Sequence, residues 1–322
     1  MKRALITGGA GYIGQHLQKQ LKKNGYQVIV MDRKHPSKMM SRKYCDRYIQ
    51  ANISEYTDII NEIKMEGMFS DNPLEFDIVF HLAGLIEVEE SQRNPISYYE
   101  NNVIGTINIL KLMKQYNCDK IVFSSSAGVY DEDGEVNPQS VYGRSKVLSE
   151  EILMDAEKEG IRSVILRYFN VAGADIDSEF GENHSPETHL IPNIFNNSTF
   201  TLYGTDYPTW DGTCVRDYIH VTDLATAHVK AAEWLYEGKI TIIADIGSGT
   251  GYSVKDIISA VEKTTGREIN ITYADRRPGD PAFLRCDTQA AEILLKFAPK
   301  YGLSDIIDTA YRWEVTMKRK PL

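Results

Sequence analysis

Short apolar runs alternate with segments of helical spacing through the first half of the chain. Residues 4–6 are apolar and predict a buried strand, and Leu17 and Leu21 lie at the spacing of one helix face. Residues 28–31 form a second apolar run, which predicts another strand and ends in Asp32. Glycines fill the turn between the first strand and the helix. The predicted order is therefore strand, glycine turn, helix, strand and acid.

The glycine turn has the spacing Gly-x-x-Gly-x-x-Gly, at Gly8, Gly11 and Gly14. Glycine lets the backbone turn tightly and approach a pyrophosphate, whose charge lies at the N-terminus of the following helix. Asp32 follows Gly14 by 18 residues, where a carboxylate can bind the hydroxyls of an adenosine ribose. The same carboxylate repels a 2′-phosphate, so we expect NAD rather than NADP, although Arg33 comes next.

Further predicted strands alternate with helices as far as residue 170, which indicates an α/β fold of the Rossmann type with a doubly wound parallel sheet. Beyond residue 170 the pattern loosens into loops with short elements. We expect an NAD-binding Rossmann domain with the catalytic residues at 1–170, and a smaller C-terminal α/β domain, mainly substrate-binding, at 171–322. The predicted strands after Asp32 are 48–50, 77–82, 120–123, 163–167 and 269–273, and helices are predicted from about Thr57, after Pro95, and from Tyr142, Asp223 and Val254.

Composition narrows the possible partners. The 322-residue chain carries a net charge of −9, which argues against binding to nucleic acid. No apolar run approaches the length of a transmembrane helix, and the N-terminal apolar stretch is too short for a signal peptide. The four cysteines show no paired spacing, so we expect reduced thiols and a cytoplasmic location. We expect neither a membrane partner nor a bound metal.

A tyrosine and a lysine lie four residues apart at Tyr142 and Lys146, one turn along a predicted helix. A phenol is a poor base at neutral pH, and a neighbouring ammonium lowers its pKa by stabilising the phenolate. Ser124-Ser125-Ser126 follows a predicted strand, where loops commonly carry function. Such a Tyr/Lys pair on its own is typical of an ordinary exposed helix. Together with the glycine turn and the serines, it predicts a catalytic site.

The whole set of motifs resembles the UDP-glucose 4-epimerase family, in the extended branch of the short-chain dehydrogenases/reductases. The resemblance covers nearly the whole chain in order. It is carried by Thr7-Gly8-Gly9-Ala10-Gly11-Tyr12-Ile13-Gly14, His81-Leu82-Ala83-Gly84, Asn101-Asn102-Val103-x-Gly105-Thr106, Ser124-Ser125-Ser126-Ala127-x-Val129-Tyr130, Tyr142-Gly143-x-Ser145-Lys146, Arg167-Tyr168-Phe169-Asn170, Tyr207-Pro208-x-x-Asp211-Gly212-Thr213, Val215-Arg216-Asp217-Tyr218-Ile219-His220-Val221 and Arg276-Arg277-x-Gly279-Asp280.

The resemblance implies interconversion of UDP-glucose and UDP-galactose with a tightly held NAD. The sugar is oxidised at C4, turns over as a 4-keto sugar, and is reduced on its other face. The implied catalytic residues are Ser126, Tyr142 and Lys146. The implied NAD-binding residues are Gly8, Gly11, Tyr12, Ile13, Gly14, Asp32, Asn52, Ile53, Leu82, Ala83, Gly84, Asn101, Ser124, Tyr142, Lys146 and Tyr168. The implied residues for the UDP-sugar are Ser126, Tyr142, Asn170, His189, Leu190, Tyr203, Arg216, Tyr218, Arg277 and Asp280.

The resemblance also implies a homodimer. The predicted helices at about 96–115 and 142–158 carry apolar residues on more than one face, including Ile104 and Ile109. A helix that is apolar all round is normally buried, and in this family such helices form a bundle between subunits.

The sequence departs from the family pattern in places, and the departures leave alternatives open. Asn52 stands where an acid usually meets the adenine, and the loop between Ser126 and Tyr142 is shortened. Leu284 aligns with the residue that limits the sugar pocket, so 4-epimerases for N-acetylated, pentose or uronate UDP-sugars remain alternatives, as does a UDP-uronate decarboxylase. A 4,6-dehydratase needs an acid pair directly after Ser126, where this chain has Ala127-Gly128. A dinucleotide-sensing binding module would usually lack the Tyr/Lys pair.

Overall fold

The computed structural model of the protein describes residues 1–68, 73–183, 187, 189–277 and 280–319. The chain forms two compact units. The first contains Met1–Tyr130, Val136–Arg167 and Ala225–Ala244, and the second contains Asp131–Glu135, Tyr168–Leu224 and Asp245–Leu322. The first unit thus includes a segment from the second half of the chain. The division of function at residue 170 stays a prediction.

The strands are, in chain order, β1 Arg3–Thr7, β2 Gln27–Asp32, β3 Arg47–Gln50, β4 Ile78–His81, β5 Lys120–Ser126, β6 Arg162–Tyr168, β7 Asn170–Ala172, β8 Thr199–Tyr203, β9 Val215–His220, β10 Ile242–Ile246, β11 Gly251–Ser253, β12 Asn270–Ala274 and β13 Phe283–Leu284.

The α-helices are α1 Tyr12–Lys23, α2 Tyr56–Met68, α3 Val88–Arg93, α4 Pro95–Tyr98, α5 Gly105–Gln115, α6 Val141–Ala156, α7 Leu190–Asn196, α8 Val221–Tyr236, α9 Val254–Thr265, α10 Gln289–Leu294 and α11 Leu303–Arg319. A π-helical segment, Tyr99–Ile104, joins α4 to α5, and short 3₁₀ turns form at Pro36–Lys38, Ala127–Val129 and Glu157–Glu159.

A seven-stranded sheet, in the order β10-β6-β5-β4-β1-β2-β3, organises the first unit. β1 pairs in parallel with both β2 and β4, and the pairings of β2 with β3 and of β4 with β5 are also parallel. The predicted doubly wound α/β fold is confirmed. The strand order reverses between β1 and β4, and ligands bind at the carboxyl ends of the strands beside such a switch point. The glycine turn directly follows β1 at this point.

The core of the first unit lies between the sheet and its helices. Buried strand residues such as Leu5, Val79 and Ile121 pack with Ile109 and Leu112 of α5 in one apolar cluster. Ile109 is fully buried in this cluster, because it faces the sheet. Ile104, in contrast, is exposed, so the apolar residues of this stretch lie on more than one face, as predicted.

The second unit has its own core. β9 pairs with β7, β11 and β13, and β8 pairs with β12 in a separate two-stranded sheet. Apolar residues of α7, α9 and α11, among them Ile194, Ile257 and Ile306, pack with Leu202 and Ala172. All four cysteines are free. No helix among the described residues is long and apolar enough to cross a membrane.

Candidate active site

The glycine turn packs so closely that side chains have no room. Gly8 has a φ of +72°, and a Cβ there would lie 2.7 Å from the backbone nitrogen of Ala83. A Cβ on Gly14 would lie 2.6 Å from the carbonyl oxygen of Gly8. The N-cap residue of α1, Gly11, has no side chain that could accept a hydrogen bond from the N–H groups of the first helical turn. This bare, closely packed helix start fits the pyrophosphate of NAD.

Asp32, at the end of β2, is hydrogen-bonded to the same turn. Its Oδ2 accepts from the backbone nitrogen of Ala10 at 3.0 Å, and its Oδ1 accepts from that of Lys34, also at 3.0 Å. Each carboxylate oxygen has a second lone pair for a further donor. The side chain is thus held in place and can still accept hydrogen bonds from the two hydroxyls of a ribose.

Most of the remaining residues predicted to bind NAD lie at the carboxyl ends of strands in the first unit. Asn52 and Ile53 follow β3, and the Asn52 backbone nitrogen donates to Asp58 at 2.7 Å. Leu82, Ala83 and Gly84 follow β4, Ser124 lies in β5, and Asn101 lies in the π-helical segment. Tyr168 belongs to the second unit.

The structure brings Ser126, Tyr142 and Lys146 together. The hydroxyl groups of Ser126 and Tyr142 form a hydrogen bond, and Ser126 Oγ also accepts from the Gly128 nitrogen at 3.1 Å. Lys146 Nζ donates to the Ser124 carbonyl at 2.8 Å and lies 5.8 Å from the centroid of the Tyr142 ring. Tyr142 and Lys146 are both buried. This arrangement supplies a phenol that can exchange a proton through a neighbouring hydroxyl, beside a buried ammonium.

The electrostatics of this group differ from the expectation. Burial raises the pKa of Tyr142, and the hydrogen bond from Ser126 opposes that rise. The expected direct lowering of the Tyr142 pKa by Lys146 is not what the structure shows, because the ammonium is directed at the Ser124 carbonyl. Burial also lowers the pKa of Lys146 to about 8. Lys146 therefore keeps its charge at neutral pH and loses it as the pH rises past about 8.

Asn102 is a site residue that sequence reasoning missed. Its Oδ1 accepts from the Leu85 nitrogen at 2.8 Å, and its Nδ2 donates to the Leu85 carbonyl at 3.0 Å and to Ser145 Oγ at 2.9 Å. Asn102 thereby ties the loop after β4 to α6, the helix that carries Tyr142 and Lys146, and Asn101 Nδ2 donates to Asn102 Oδ1. Apolar spacing predicted one continuous helix here, and the π-helical turn that carries both asparagines has no periodic signal. The repeated Asn-Asn was the available sequence clue.

His81, at the end of β4, is a buried neutral histidine. Thr106 Oγ1 donates to the Asn102 carbonyl at 2.7 Å, so it accepts from His81 Nε2 at 3.1 Å. This assigns the proton to Nε2, and Nδ1 then accepts from Thr7 Oγ1 at 2.7 Å. Burial lowers the His81 pKa to about 3. His81 therefore links β4, β1 and α5 without adding charge near Lys146.

The second unit gathers most of the residues predicted to bind the UDP-sugar. Asn170 of β7 and Tyr218 of β9 lie opposite each other in register, and their side chains form a hydrogen bond. Arg216, on the same strand as Tyr218, forms an ion pair with Asp280.

Further predicted residues complete this group. The guanidinium of Arg277 stacks on the Tyr203 ring, with its carbon 4.2 Å from the ring centroid. Leu284 of β13 lies opposite Arg216 in register. Gly279 of the quoted motif is outside the described residues. Two guanidinium groups thus lie among aromatic and carboxylate side chains, which suits a nucleoside diphosphate.

Asp217, the neighbour of Arg216 in the motif, stabilises the fold of the second unit. It is fully buried and accepts hydrogen bonds from the backbone nitrogens of Ser248, Gly249 and Cys286 and from the Ser248 hydroxyl. Adjacent strand residues point to opposite faces, so Asp217 and Arg216 do not form a pair with each other.

His189 and Leu190 lie at the start of α7. His189 Nδ1 forms a hydrogen bond with Glu182, and its backbone nitrogen donates to Glu187 at 3.0 Å. The side chains of Glu182, Glu187 and His189 place three potential metal-ligand atoms within 4.8 Å of one another. The hydrogen bonds of His189 to the two glutamates explain this proximity without a metal ion. Leu190 packs against the core of the second unit.

Comparison with known proteins assigns the family. Residues 4–247 match the family described as "NAD dependent epimerase/dehydratase family". The chain belongs to this family. The family, the enzyme class and NAD as cofactor, all predicted from the motifs, are confirmed. The dependence of the family on NAD also agrees with the fit of the glycine turn to a pyrophosphate.

Individual relatives are similar over almost their full length. A UDP-glucose 4-epimerase of Rhizobium meliloti is 40% identical over 323 residues, which cover 96% of each chain. The solved UDP-glucose-4-epimerase of Stenotrophomonas maltophila, with bound NAD and formylated UDP-arabinopyranose, has a TM-score of 0.90 at 32% identity over 99% of both chains. The UDP-glucose 4-epimerase of Bifidobacterium longum, in complex with NAD+ and UDP, has a TM-score of 0.83 at 34% identity over 98% of both chains.

Replacing Gly14 with alanine tests the glycine turn of this epimerase-family protein. The added methyl would meet backbone atoms of Gly8 and Gly9 within 2.7 Å, and backbone cannot move aside cheaply. We expect Gly14→Ala to lose bound NAD, measured in the supernatant of denatured protein. Gly67→Ala is the matched control, because among the described residues no atom outside its own helical turn lies within 4 Å of the Cβ position there. Wild-type NAD content in Gly14→Ala would contradict this account of the turn.

Proposed function

We propose that the protein is a UDP-glucose 4-epimerase that holds NAD through its catalytic cycle. The observation that carries the proposal is the hydrogen bond between Ser126 and the buried Tyr142, beside the Lys146 ammonium. This group is suited to removing a proton from a hydroxyl that is being oxidised. The names of the relatives, and the set of guanidinium and aromatic groups in the second unit, support a UDP-sugar as the molecule that carries that hydroxyl.

Tyr142 is the base and acid in this mechanism. It takes the proton of the sugar 4-hydroxyl as C4 is oxidised and returns it when the 4-keto sugar is reduced. Ser126 donates a hydrogen bond to Tyr142, which favours the phenolate, and its hydroxyl can also contact the sugar oxygen. Lys146 supplies positive charge nearby. Bound NAD supplies the reversible oxidation, and Gly8, Gly11, Gly14 and Asp32 would hold it.

The second unit has the chemistry to hold the nucleotide while the sugar turns over. Arg216 and Arg277 are suited to the diphosphate, because guanidinium groups bind phosphate oxygens bidentately. Asn170 would donate to the diphosphate and Asp280 would accept from a ribose hydroxyl. Tyr203 and Tyr218 present aromatic faces for the uracil. His189 and Leu190 complete the proposed contacts with the nucleotide.

The function is tested by assaying the purified protein for conversion of UDP-sugars. We expect UDP-galactose to be converted to UDP-glucose without added cofactor, with about one NAD released per chain on denaturation. Leu284 alone does not indicate which sugar the pocket accepts. A panel with N-acetylated, pentose and uronate UDP-sugars, with products separated by chromatography, therefore ranks the substrates. Absence of epimerisation across the whole panel would overturn the proposal. Stoichiometric NADP in place of NAD would overturn the role of Asp32.

The variants Tyr142→Phe and Lys146→Met should separate the roles of the two residues. Tyr142→Phe removes one hydroxyl and keeps the ring, so the fold and bound NAD should persist while the rate falls by roughly 100- to 10,000-fold. Lys146→Met should lower the rate by a different route, because the phenol loses its positive neighbour. We expect the lysine variant to recover partly at alkaline pH and the tyrosine variant not to recover. A Tyr142→Phe variant with more than about a tenth of the wild-type rate would require another base.

We also infer that two copies of the chain associate and that the protein works in the cytoplasm. Exposed apolar side chains on the helices named in the sequence analysis support the dimer: Ile96, Ile104, Leu148 and Met154. Ile104 and Leu148 are 43% and 40% exposed, on the π-helical segment and on α6. Four free cysteines, three of them buried, are consistent with a reducing compartment.

Light scattering at micromolar concentration should give the mass of a dimer, and Ile104→Arg should shift it towards the monomer, because a buried unpaired charge opposes association. Ile293→Arg is the control, since Ile293 is also exposed but lies on α10. A purely monomeric wild type, or equal effects of the two variants, would contradict the proposed interface.

A further inference from the structure

Glu150 and Arg167 form a buried ion pair behind the catalytic residues. Their exposed fractions are 2% and 8%, and Arg167 Nε donates to the two carboxylate oxygens at 3.0 and 3.2 Å while Nη2 donates to Oε2. Burying two charges costs solvation energy that their attraction only partly returns, so apolar residues often give equal stability in such places. A pair of this kind therefore calls for a role other than stability.

The ion pair is bonded to the chain on both sides of Ser126. Ser125 Oγ donates to Glu150, and Arg167 Nη1 donates to the Tyr130 hydroxyl at 3.0 Å. The Arg167 guanidinium also lies 5.2 Å from the centroid of the Tyr130 ring. Ser126 is thus flanked by two residues that are hydrogen-bonded to the pair.

The same pair is built into the helix that carries the proposed base. Glu150 lies on α6 one turn after Lys146 and two turns after Tyr142. The spacing between Ser126 on β5 and Tyr142 on α6 is therefore fixed through Glu150, which bonds to both elements. A hydrogen bond between two hydroxyls tolerates only a few tenths of an ångström of displacement.

Glu150 also acts on the charge of Lys146. Among the described residues, the titratable groups near the ammonium are Tyr142 and Glu150 on its own helix and His81 on β4. β5 contributes only the Ser124 carbonyl and the Phe123 ring. His81 is neutral, and Glu150 is the group that raises the Lys146 pKa against the effect of burial. Arg167 balances the Glu150 charge.

We propose that Glu150 and Arg167 are positioning residues, whose ion pair holds Ser126 against Tyr142 and sets the charge of Lys146. The proposal deepens the proposed function and rests on it for the assay of activity. Because Glu150 and Arg167 carry opposite charges, removing one or the other should shift the titration of Lys146 in opposite directions. If the pair were purely structural, removing either partner should have the same effect.

The first test measures the titration of Lys146 in the full-length protein with bound NAD. Lysine is labelled with ¹³C at Cε, and the signal of Lys146 is assigned with Lys146→Met. We expect Glu150→Gln to shift its midpoint to lower pH and Arg167→Met to higher pH, each by roughly one unit, because they remove opposite charges. The double variant Glu150→Gln/Arg167→Met leaves no unpaired charge and should titrate between the two. Glu66→Gln, in the separate Arg47–Glu66 ion pair, is the control.

The second test removes single hydroxyl groups that connect the pair to the Ser126 segment. Ser125→Ala and Tyr130→Phe should each lower kcat by roughly ten- to a hundredfold with little change in KM, because Ser126 is displaced from Tyr142. The controls are Ser163→Ala, whose buried hydroxyl has no hydrogen-bond partner among the described residues, and Tyr56→Phe.

Each outcome decides one of the two proposals. Opposite shifts of the Lys146 midpoint, with kcat losses confined to Ser125→Ala and Tyr130→Phe, support the positioning role. Shifts in the same direction, an unmoved midpoint, or a kcat for Ser125→Ala equal to that of Ser163→Ala overturn it. If the wild type epimerises none of the UDP-sugars, the proposed function fails, and the titration of Lys146 still decides the positioning role.

Discussion

Keeping a charged lysine inside the protein is the constraint that governs the part of the first unit around Tyr142 and Lys146. Lys146 is 4% exposed, and its ammonium lies 5.8 Å from the centroid of the Tyr142 ring. An ammonium loses most of its hydration on burial, so its charged form is stabilised by the hydrogen bonds and charges that the protein supplies in place of water. The Ser124 carbonyl accepts from it, the Phe123 ring lies 5.0 Å away, and Glu150 follows one turn later on the same helix. β5 and α6 therefore both contribute groups that stabilise the Lys146 ammonium.

Much of this could be predicted from the sequence, and the part that could not has a physical reason. The glycine turn, Asp32 and the Tyr142/Lys146 pair are signals carried by residues close together in the chain, and the structure places them as expected. Asn102 and Glu150 act through partners far away in sequence, such as Leu85 and Arg167. A period of 3.6 residues indicates which face of a helix is buried. It does not indicate which polar group of a distant segment will form a hydrogen bond with that face.

The direction of the Tyr142 pKa shift shows the same limit. Residue types predicted a phenol whose pKa is lowered by an ammonium, whereas the pKa of Tyr142 is raised because the ring is buried. Sequence spacing could place Lys146 beside Tyr142, but it could not show that the ammonium turns to the Ser124 carbonyl. In the second unit, the resemblance chose Arg216 and Asp280 separately, and only the structure shows that they pair with each other.

The π-helical turn at Tyr99–Ile104 affects how this protein would tolerate a change in chain length. Such a turn holds one residue more than an α-helix would, and it is the usual result of inserting a single residue into a regular helix. Deleting one residue from an ordinary helix rotates everything beyond it by about 100°. Here the extra residue is already accommodated, so a one-residue deletion would restore regular winding and leave α5 facing its core. The deletion would, however, displace Asn102. The loop at Leu85 would then lose its hydrogen-bonded connection to α6. We therefore expect such a deletion to preserve the fold and to disturb the active site.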